Sequence, residues 1–517
     1  MIPKKVSFLS IKSIGSIMDR GLGHRSAPNQ TWSRRLKMKR FQSLKDRNAE
    51  PDSASAMAYV AAYFEHSYDA VFGVVHRPTF EARLRPHLAQ VGPHQAEDPS
   101  WFALRNIVYA LGCRSLVAQD PSLSFIQAGK PSRAFFQNAL SVIGEMILGR
   151  SGFTAVQALV LMGFYAEGLG SPAVEYPLAI NAVQLALARG LHRAPSRSWN
   201  LPEADMLTRS WLWWAVYCLE KRIVQRSGRP STIDDDNIST SIPTQAPPGS
   251  SINVEVFTLF IKNAQTSSQI AKRIMSVKAL RQSPTEAMQT VRDIHNQLQK
   301  LLESIPPSLR EKSYPSTPRH LYSIYLHFSI WGNFMATHII FFYPWVAVRF
   351  GSESDPAVRN QVIHSAETVA YAARQIILVL RSITMDAAIP HWLAFYFPIY
   401  AHTNLLVYIL MNPSQKSATG DLALLDICAG HFGHVEHASN TEISFHFPRD
   451  SAALCAKIVR AATQADRDNV TRPVTPQAFD NLEGTSKPTG TDVVDTGADS
   501  RSYLEPHNQV GKTKVSM

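Results

Sequence analysis

"TRSWLWWAVYCLEKRIVQRSGRPSTIDDDNISTSIP", Thr208 to Pro243, decides the fold. Read from Asp205 to Arg226, it is a helix that puts Leu207, Trp211, Trp214 and Cys218 on one stripe, with Trp213 and Tyr217 beside it. Such rings remove a large apolar area from water when buried, so the stripe is read as core packing rather than a ligand box. Gly228 supplies the helix stop, and Pro230 prevents continuation. Three adjacent aspartates follow, Asp234, Asp235 and Asp236. They either hold a metal ion or brace a corner between helices.

The metal reading makes the chain an all-helical enzyme of the isoprenoid-synthase kind, in which aspartates hold magnesium against a diphosphate. The local pattern argues against it. The trio follows a Pro-Ser-Thr-Ile loop, not an apolar helix with acids repeated one turn on, and no second Asn/Ser/Glu metal motif lies downstream. Consecutive helical residues also point in different directions. The expectation is structural: Arg229, Arg193 or His192 pairs with one carboxylate, and Asp236 or Asn237 caps the next turn. His431, His434 and His437 recur at three-residue spacing, but Gly430 and Gly433 loosen that helix and a His-Glu-x-x-His arrangement is missing. Without a Gly-x-Ser-x-Gly elbow, a P-loop or a dinucleotide fingerprint, the chain reads as a non-enzyme.

Working outward, the same helical periodicity recurs through the 517 residues. "MAYVAAYFEHSYDAVFGVVHRPTFEARL" begins at Met57, places Tyr59, Tyr63 and Phe64 at helical spacing, and turns at His76-Arg77-Pro78, where Thr79 is placed to cap a helix. A helix from Thr154 ends in glycine, and a second opens on Ser171-Pro172 and closes on Gly190, forming an antiparallel pair. Ile294, Leu298, Leu301 and Ile305 mark an amphipathic helix stopped at Pro306-Pro307. Alternating strand-like stretches are scarce, so the expected class is all-α. From about Val470 the sequence turns to Thr, Pro, Gly, Asp and Ser with few large apolar residues, and a disordered tail over 465–517 is expected.

A hydrophobic share of 45% against 18% charged residues describes a chain able to bury a core. The net charge of +11 is concentrated before residue 51. There the knot Arg34, Arg35, Lys37, Lys39 and Arg40 is a nuclear-import or phosphate-contact candidate, against the plainer reading of a solvated arm over 1–54. The Ser-rich, acid-poor start, with Phe8, Ile11 and Ile14 among its apolar residues, also suits a mitochondrial presequence. Cys113, Cys218, Cys428 and Cys455 are far apart in apolar contexts and read as reduced core thiols. Two stretches without Asp, Glu, Lys or Arg, 320–348 and 387–415, are long enough to cross a bilayer. His327, Asn333, His338, Pro398, His402 and Asn404 within them favour buried core helices.

"YFEHSYDAVFGVVHRPTF" (Tyr63–Phe80), "ALARGLHR" (Ala186–Arg193), Thr208–Pro243 and "FPIYAHTNLLVYILMNPSQKSATGDLALL" (Phe397–Leu425) together resemble the fungal-specific transcription factor domain, the helical regulatory region of fungal zinc binuclear cluster regulators. The likeness runs over 55–464, with its core signature in 55–245. It rests on His192, Arg193, Arg209, Trp213, Trp214, Gly228, Arg229, Pro230 and Asp234 to Asp236 as a fold signature. The resemblance implies a nuclear regulator that works through the transcription machinery or a DNA-binding partner, with homodimerisation and a small-molecule effector left open. Specialised-metabolite gene clusters are the expected setting. One departure is large: the family's DNA reader needs six closely spaced cysteines, and the first cysteine here is Cys113. No zinc binuclear cluster is therefore expected from this chain, and the basic arm alone would hold phosphates without reading sequence. A missing first exon, a DNA-binding partner, or another use of the helical domain would each account for this.

Overall fold

Capping explains where many of the helices begin. Asp52 accepts hydrogen bonds from the Ala54 and Ser55 amides, Asp98 and Asp355 precede Pro99 and Pro356, and Ser283 forms a reciprocal capping box with Glu286. The computed structural model describes residues 47–471 apart from 90–96, 119, 121, 124, 150–151, 171, 251, 311–320, 352–354, 384, 387, 391 and 442. Among these residues fourteen helices of thirteen residues or more follow one another, and no strand occurs. They are α1 (Ser53–His66), α2 (Arg77–Ala89), α3 (Pro99–Val117), α4 (Phe125–Ser141), α5 (Phe153–Gly168), α6 (Pro172–Ala188) and α7 (Glu203–Ser227). Then come α8 (Val254–Arg273), α9 (Pro284–Glu303), α10 (Leu321–Phe342), α11 (Pro356–Val379), α12 (Phe397–Met411), α13 (Ala418–Ala438) and α14 (Phe447–Thr471). The all-α expectation holds. Residues 1–46 of the arm, the tail beyond Thr471 and Ser171 lie outside the described residues; 47–54 are described, with Glu50 paired to Arg105 at 2.7 Å and Ser53 opening α1, and 465–471, expected in the disordered tail, continue α14.

The chain divides into two units, 1–467 and 468–517. Within the first, α3 packs on α1, α4 and α5, and α5 on α6, which places α7 against α6 on one side and α8 on the other. The succession continues through α8, α9 and α10 to α11, which packs on α10, α12 and α13. Because helices cover α7 on several sides, every residue from Trp211 to Val224 is buried. A single apolar stripe underestimates this: Leu207, at its outer end, is only half-buried, while Glu220, Lys221 and Arg222 lie inside with the aromatic rings. Thr79 does not cap α2 from outside. The helix already starts at Arg77, and the Thr79 hydroxyl meets His76 Nδ1 at 2.8 Å in its first turn.

Among the described residues, the charge-free stretches are built around the largely buried helices α10 and α12. From Ser323 to Phe342, α10 is buried except at His327. One helical stretch among the described residues, Leu393–Met411, is long and apolar enough to cross a membrane, and 67% of its most apolar window is buried in the fold. His402 and Asn404 in that stretch find partners in Ser451 Oγ at 2.8 Å and Tyr343 Oη at 3.0 Å. A protein core supplies such partners and lipid does not. All four cysteines are buried and free.

Candidate functional site

The residues singled out in the sequence converge on a strap, 228–245, that runs back along α7. Gly228 ends α7 in the left-handed region at φ 63°, and its amide bonds to the Val224 carbonyl. The Arg229 guanidinium lies 4.4 Å from the Tyr176 ring centroid on α6, and the Tyr176 hydroxyl donates to the Pro230 carbonyl at 3.4 Å. Glu220 then accepts from the Thr232 amide at 2.7 Å, while Lys221 donates to Ser231 Oγ at 2.8 Å and to the Ile233 carbonyl at 3.2 Å. Two buried charges of α7 thus hold the turn from beneath.

The aspartates each take a different partner. Asp235 pairs with Lys221 Nζ at 3.3 Å and accepts from Ser268 on α8, Asp236 pairs with exposed Lys272 at 3.2 Å, and Asp234 caps the turn Asp235–Asn237. Asp235 thus turns inward to α7 and α8, while Asp234 and Asp236 both lie beside Lys272 at 4.0 and 3.2 Å. The partners seen differ from those expected: Arg229 lies over the Tyr176 ring, Arg193 reaches Asn237 Oδ1 at 3.2 Å, and His192 contributes its carbonyl, which accepts from the Ser239 and Thr240 amides. The cap is Asp234, and Asp236 and Asn237 lie within the turn it caps. Adjacency in sequence carried no information about which helix each carboxylate would face.

The other signature residues fasten the remaining strap and the α6 end. The indoles of Trp211 and Trp214 donate to the Gln245 and Ser241 carbonyls at 3.1 and 2.9 Å. Trp213, fully buried, packs its ring 5.6 Å from that of His192. Arg209 donates to the Arg189 carbonyl at 2.9 Å, a cation set at the C-terminal end of α6 where backbone carbonyls lack helical partners. His431 is buried on the Ala394 carbonyl at 2.8 Å, whereas His434 and His437 are exposed, so that run does not converge either. Arg34, Arg35, Lys37, Lys39 and Arg40 lie outside the described residues.

A second feature, beneath the corner, was missed in the sequence. Glu167 of α5 is 1% exposed and receives Arg222 through Nε at 3.0 Å and through Nη2, and Arg226 at 2.7 Å. Glu175 lies 3.5 Å from Arg226, and Asp69 pairs with Arg114 at 3.2 Å nearby. The Arg222 guanidinium sits 4.9 to 5.4 Å from the ring centroids of Phe164, Phe72 and Tyr325. Burial works against its charge, but Glu167, Tyr68 and Tyr325 outweigh it, so Arg222 holds its proton more firmly than a free guanidinium. Burial dominates at Asp69, whose carboxyl is pushed up to about 6 despite Arg114. The available signal was Arg222 and Arg226 at i, i+4 on a helix whose neighbours are apolar. These pairs join helices: Glu167 of α5 and Glu175 of α6 hold Arg222 and Arg226 of α7, and Asp69 holds Arg114 of α3.

The family model for the fungal specific transcription factor domain matches residues 60–325, just over half of the chain and inclusive of the strap and the buried ions. An ABC-transporter-regulating transcription factor of Aspergillus oryzae is 28% identical over 80% of this chain and 47% of its own length. The Fusaridione A cluster transcription factor fsdR of Fusarium heterosporum is 23% identical over 82% of this chain and 80% of its own length. The lactose regulatory protein LAC9 of Kluyveromyces lactis is 28% identical over 45% of this chain. The chain spans about half the length of the transporter-regulating relatives it matches. By the strap, the all-helical architecture and the family match together, the chain belongs to the fungal specific transcription factor domain family.

Proposed function

We propose that this chain is a fungal transcriptional regulator of a specialised-metabolite gene cluster, acting in the nucleus through contacts of its helical domain and not through catalysis. The observation that carries the reading is the correspondence with a cluster transcription factor over four-fifths of both chains. The strap supports it, because its charged residues are engaged with side chains of α6, α7 and α8 as a scaffold would be. Control of ABC-transporter genes is the second reading, favoured by the relative with the higher identity.

DNA contact through Arg34, Arg35, Lys37, Lys39 and Arg40 would add affinity without base readout, so sequence specificity is assigned to a partner or to a module joined to this domain. Cys113 is buried in α3, and the reading assigns no binuclear zinc cluster to these residues. The test fuses the chain to a heterologous DNA-binding domain upstream of a reporter. A change in reporter output of about tenfold, reversed in a strap variant that no longer folds, is expected; an inert fusion that is expressed and nuclear would sink the proposal. In a fluorescently tagged copy, replacing the five basic residues by alanine is expected to move the signal out of the nucleus.

A further inference from the structure

Three histidines far apart in sequence meet where α9, α10 and α11 pack together: His295, His338 and His364. One ring nitrogen from each lies within 4.8 Å of the other two. Their ring centroids are 5.1, 5.6 and 5.8 Å apart and the ring planes are inclined at 52° to 84°, so the rings do not stack. His338 is 1% exposed, His295 is half-buried and His364 is exposed. The cluster is thus a shaft from solvent to core.

Hydrogen bonds settle which nitrogens face inward. His338 Nδ1 lies 3.0 Å from Ser365 Oγ, which also receives Gln361 Nε2 at 3.0 Å. On the other side of its ring, His338 Nε2 lies 2.9 Å from His295 Nδ1; in the tautomer that carries the His338 proton on Nδ1, donated to Ser365 Oγ, Nε2 presents its lone pair to the cluster. Phe334 packs its ring 5.2 Å from that of His295 on the inner side. An inner ligand whose far nitrogen is tied to a hydroxyl, backed by an amide, is the supporting arrangement that metal-ligating histidines use to fix tautomer and orientation.

We infer that His295, His338 and His364 form a three-histidine site for a late first-row divalent cation, zinc first, with a fourth position open to solvent beside His364. A tetrahedral zinc site places its nitrogens about 3.3 Å apart, given Zn–N distances of ~2.0–2.1 Å. The His295–His338 pair is already inside that spacing, and the exposed His364 can close the remainder by side-chain rotation. Coordination displaces the hydrogen bond between the two rings: His295 ligates through Nδ1 and carries its proton on Nε2, so the protein need not lose a proton. Three imidazoles and no carboxylate in the group select against magnesium and calcium, which take oxygen ligands. Burial holds His338 and His295 below the usual imidazole range, which keeps them in the neutral form a cation requires. Occupancy would bind α9 to α10 and α11 and make the stability of this part of the domain depend on metal supply.

The test uses the full chain without a histidine tag, stripped with a chelator and titrated with Co(II), then Zn(II). One equivalent of Co(II) is expected to give the visible d–d bands of a near-tetrahedral nitrogen site, bleached by Zn(II), and Zn(II) is expected to raise the melting temperature. His364→Ala, at an exposed position, should weaken binding by at least about 100-fold while leaving the metal-free melting temperature unchanged. Ser365→Ala should weaken it about tenfold. The exposed double variant His434→Ala/His437→Ala should bind as the parent does. No cobalt spectrum in the parent, unaltered affinity in His364→Ala, or loss in the His434/His437 variant instead would each overturn the site and leave the three rings as a hydrogen-bonded packing cluster.

Discussion

A Cβ added to Gly112 of α3 would lie 1.8 Å from the Tyr59 carbonyl oxygen of α1, so the two backbones touch through a position only glycine can occupy. Gly112→Ala must push the helices apart and is expected to cost about 1–3 kcal/mol or more, seen as a lower urea midpoint. Gly430, an exposed position on α13, has nothing within 4 Å of its added Cβ, and Gly430→Ala should instead stabilise the fold by the ~1 kcal/mol of helix propensity, seen as a higher midpoint. His431, one residue on, is held down to about 4 by burial, which its bond to the Ala394 carbonyl only partly offsets. In the unfolded chain it titrates near ~6.5, so below that pH the unfolded state binds the extra proton. Stability from this group is complete above about 6.5 and is lost as pH falls through about 4, on the order of 3 kcal/mol in all. Denaturant titrations from pH 7 to 4 should show a shallower decline for His431→Gln than for the parent.

At the scale of elements, the strap and α7 form one unit in which Asp235 has a role its two neighbours lack. It faces Lys221, which is 2% exposed, while Asp234 and Asp236 stand in solvent beside Lys272. Asp235→Asn removes a charge partner from a buried ammonium and should cost roughly 1–3 kcal/mol. Asp234→Asn and Asp236→Asn should leave the unfolding midpoint unchanged, since exposed pairs contribute little. Added magnesium should stabilise none of the three. Equal losses in all three variants, or a magnesium-dependent rise in the parent, would restore the metal reading of the trio.

For the unit 1–467 taken entire, Glu167 is the point where several helices meet. It holds Arg222 and Arg226 of α7 from α5, with Glu175 of α6 against Arg226 and Tyr325 of α10 against Arg222. Glu167→Gln leaves two guanidinium groups in the core with half their counter-charge and should cost about 3–5 kcal/mol. The double variant Glu167→Leu/Arg222→Met should lose less than the two single changes summed, because it removes both ends of the pair at once. A second link, Gln225 Nε2 donating to Asn333 Oδ1 at 2.5 Å, joins α7 to α10. Rearrangement at either end would be felt across α5, α7 and α10, which is the kind of coupling a regulatory domain needs.

Helix after helix was legible from the chain because its causes are local. Gly228 takes its positive φ, and Ile294, Leu298, Leu301 and Ile305 are buried at their spacing, all within a few turns of backbone. The strap was legible in outline, since glycine and proline act where they stand. What Asp235 pairs with, why α7 is buried all round with Glu220, Lys221 and Arg222 inside, and that His295, His338 and His364 meet were decided only by tertiary structure. Those contacts depend on which helices lie side by side and how each is turned about its axis. Packing settles both through the summed burial of many side chains, a quantity that no short stretch of sequence contains.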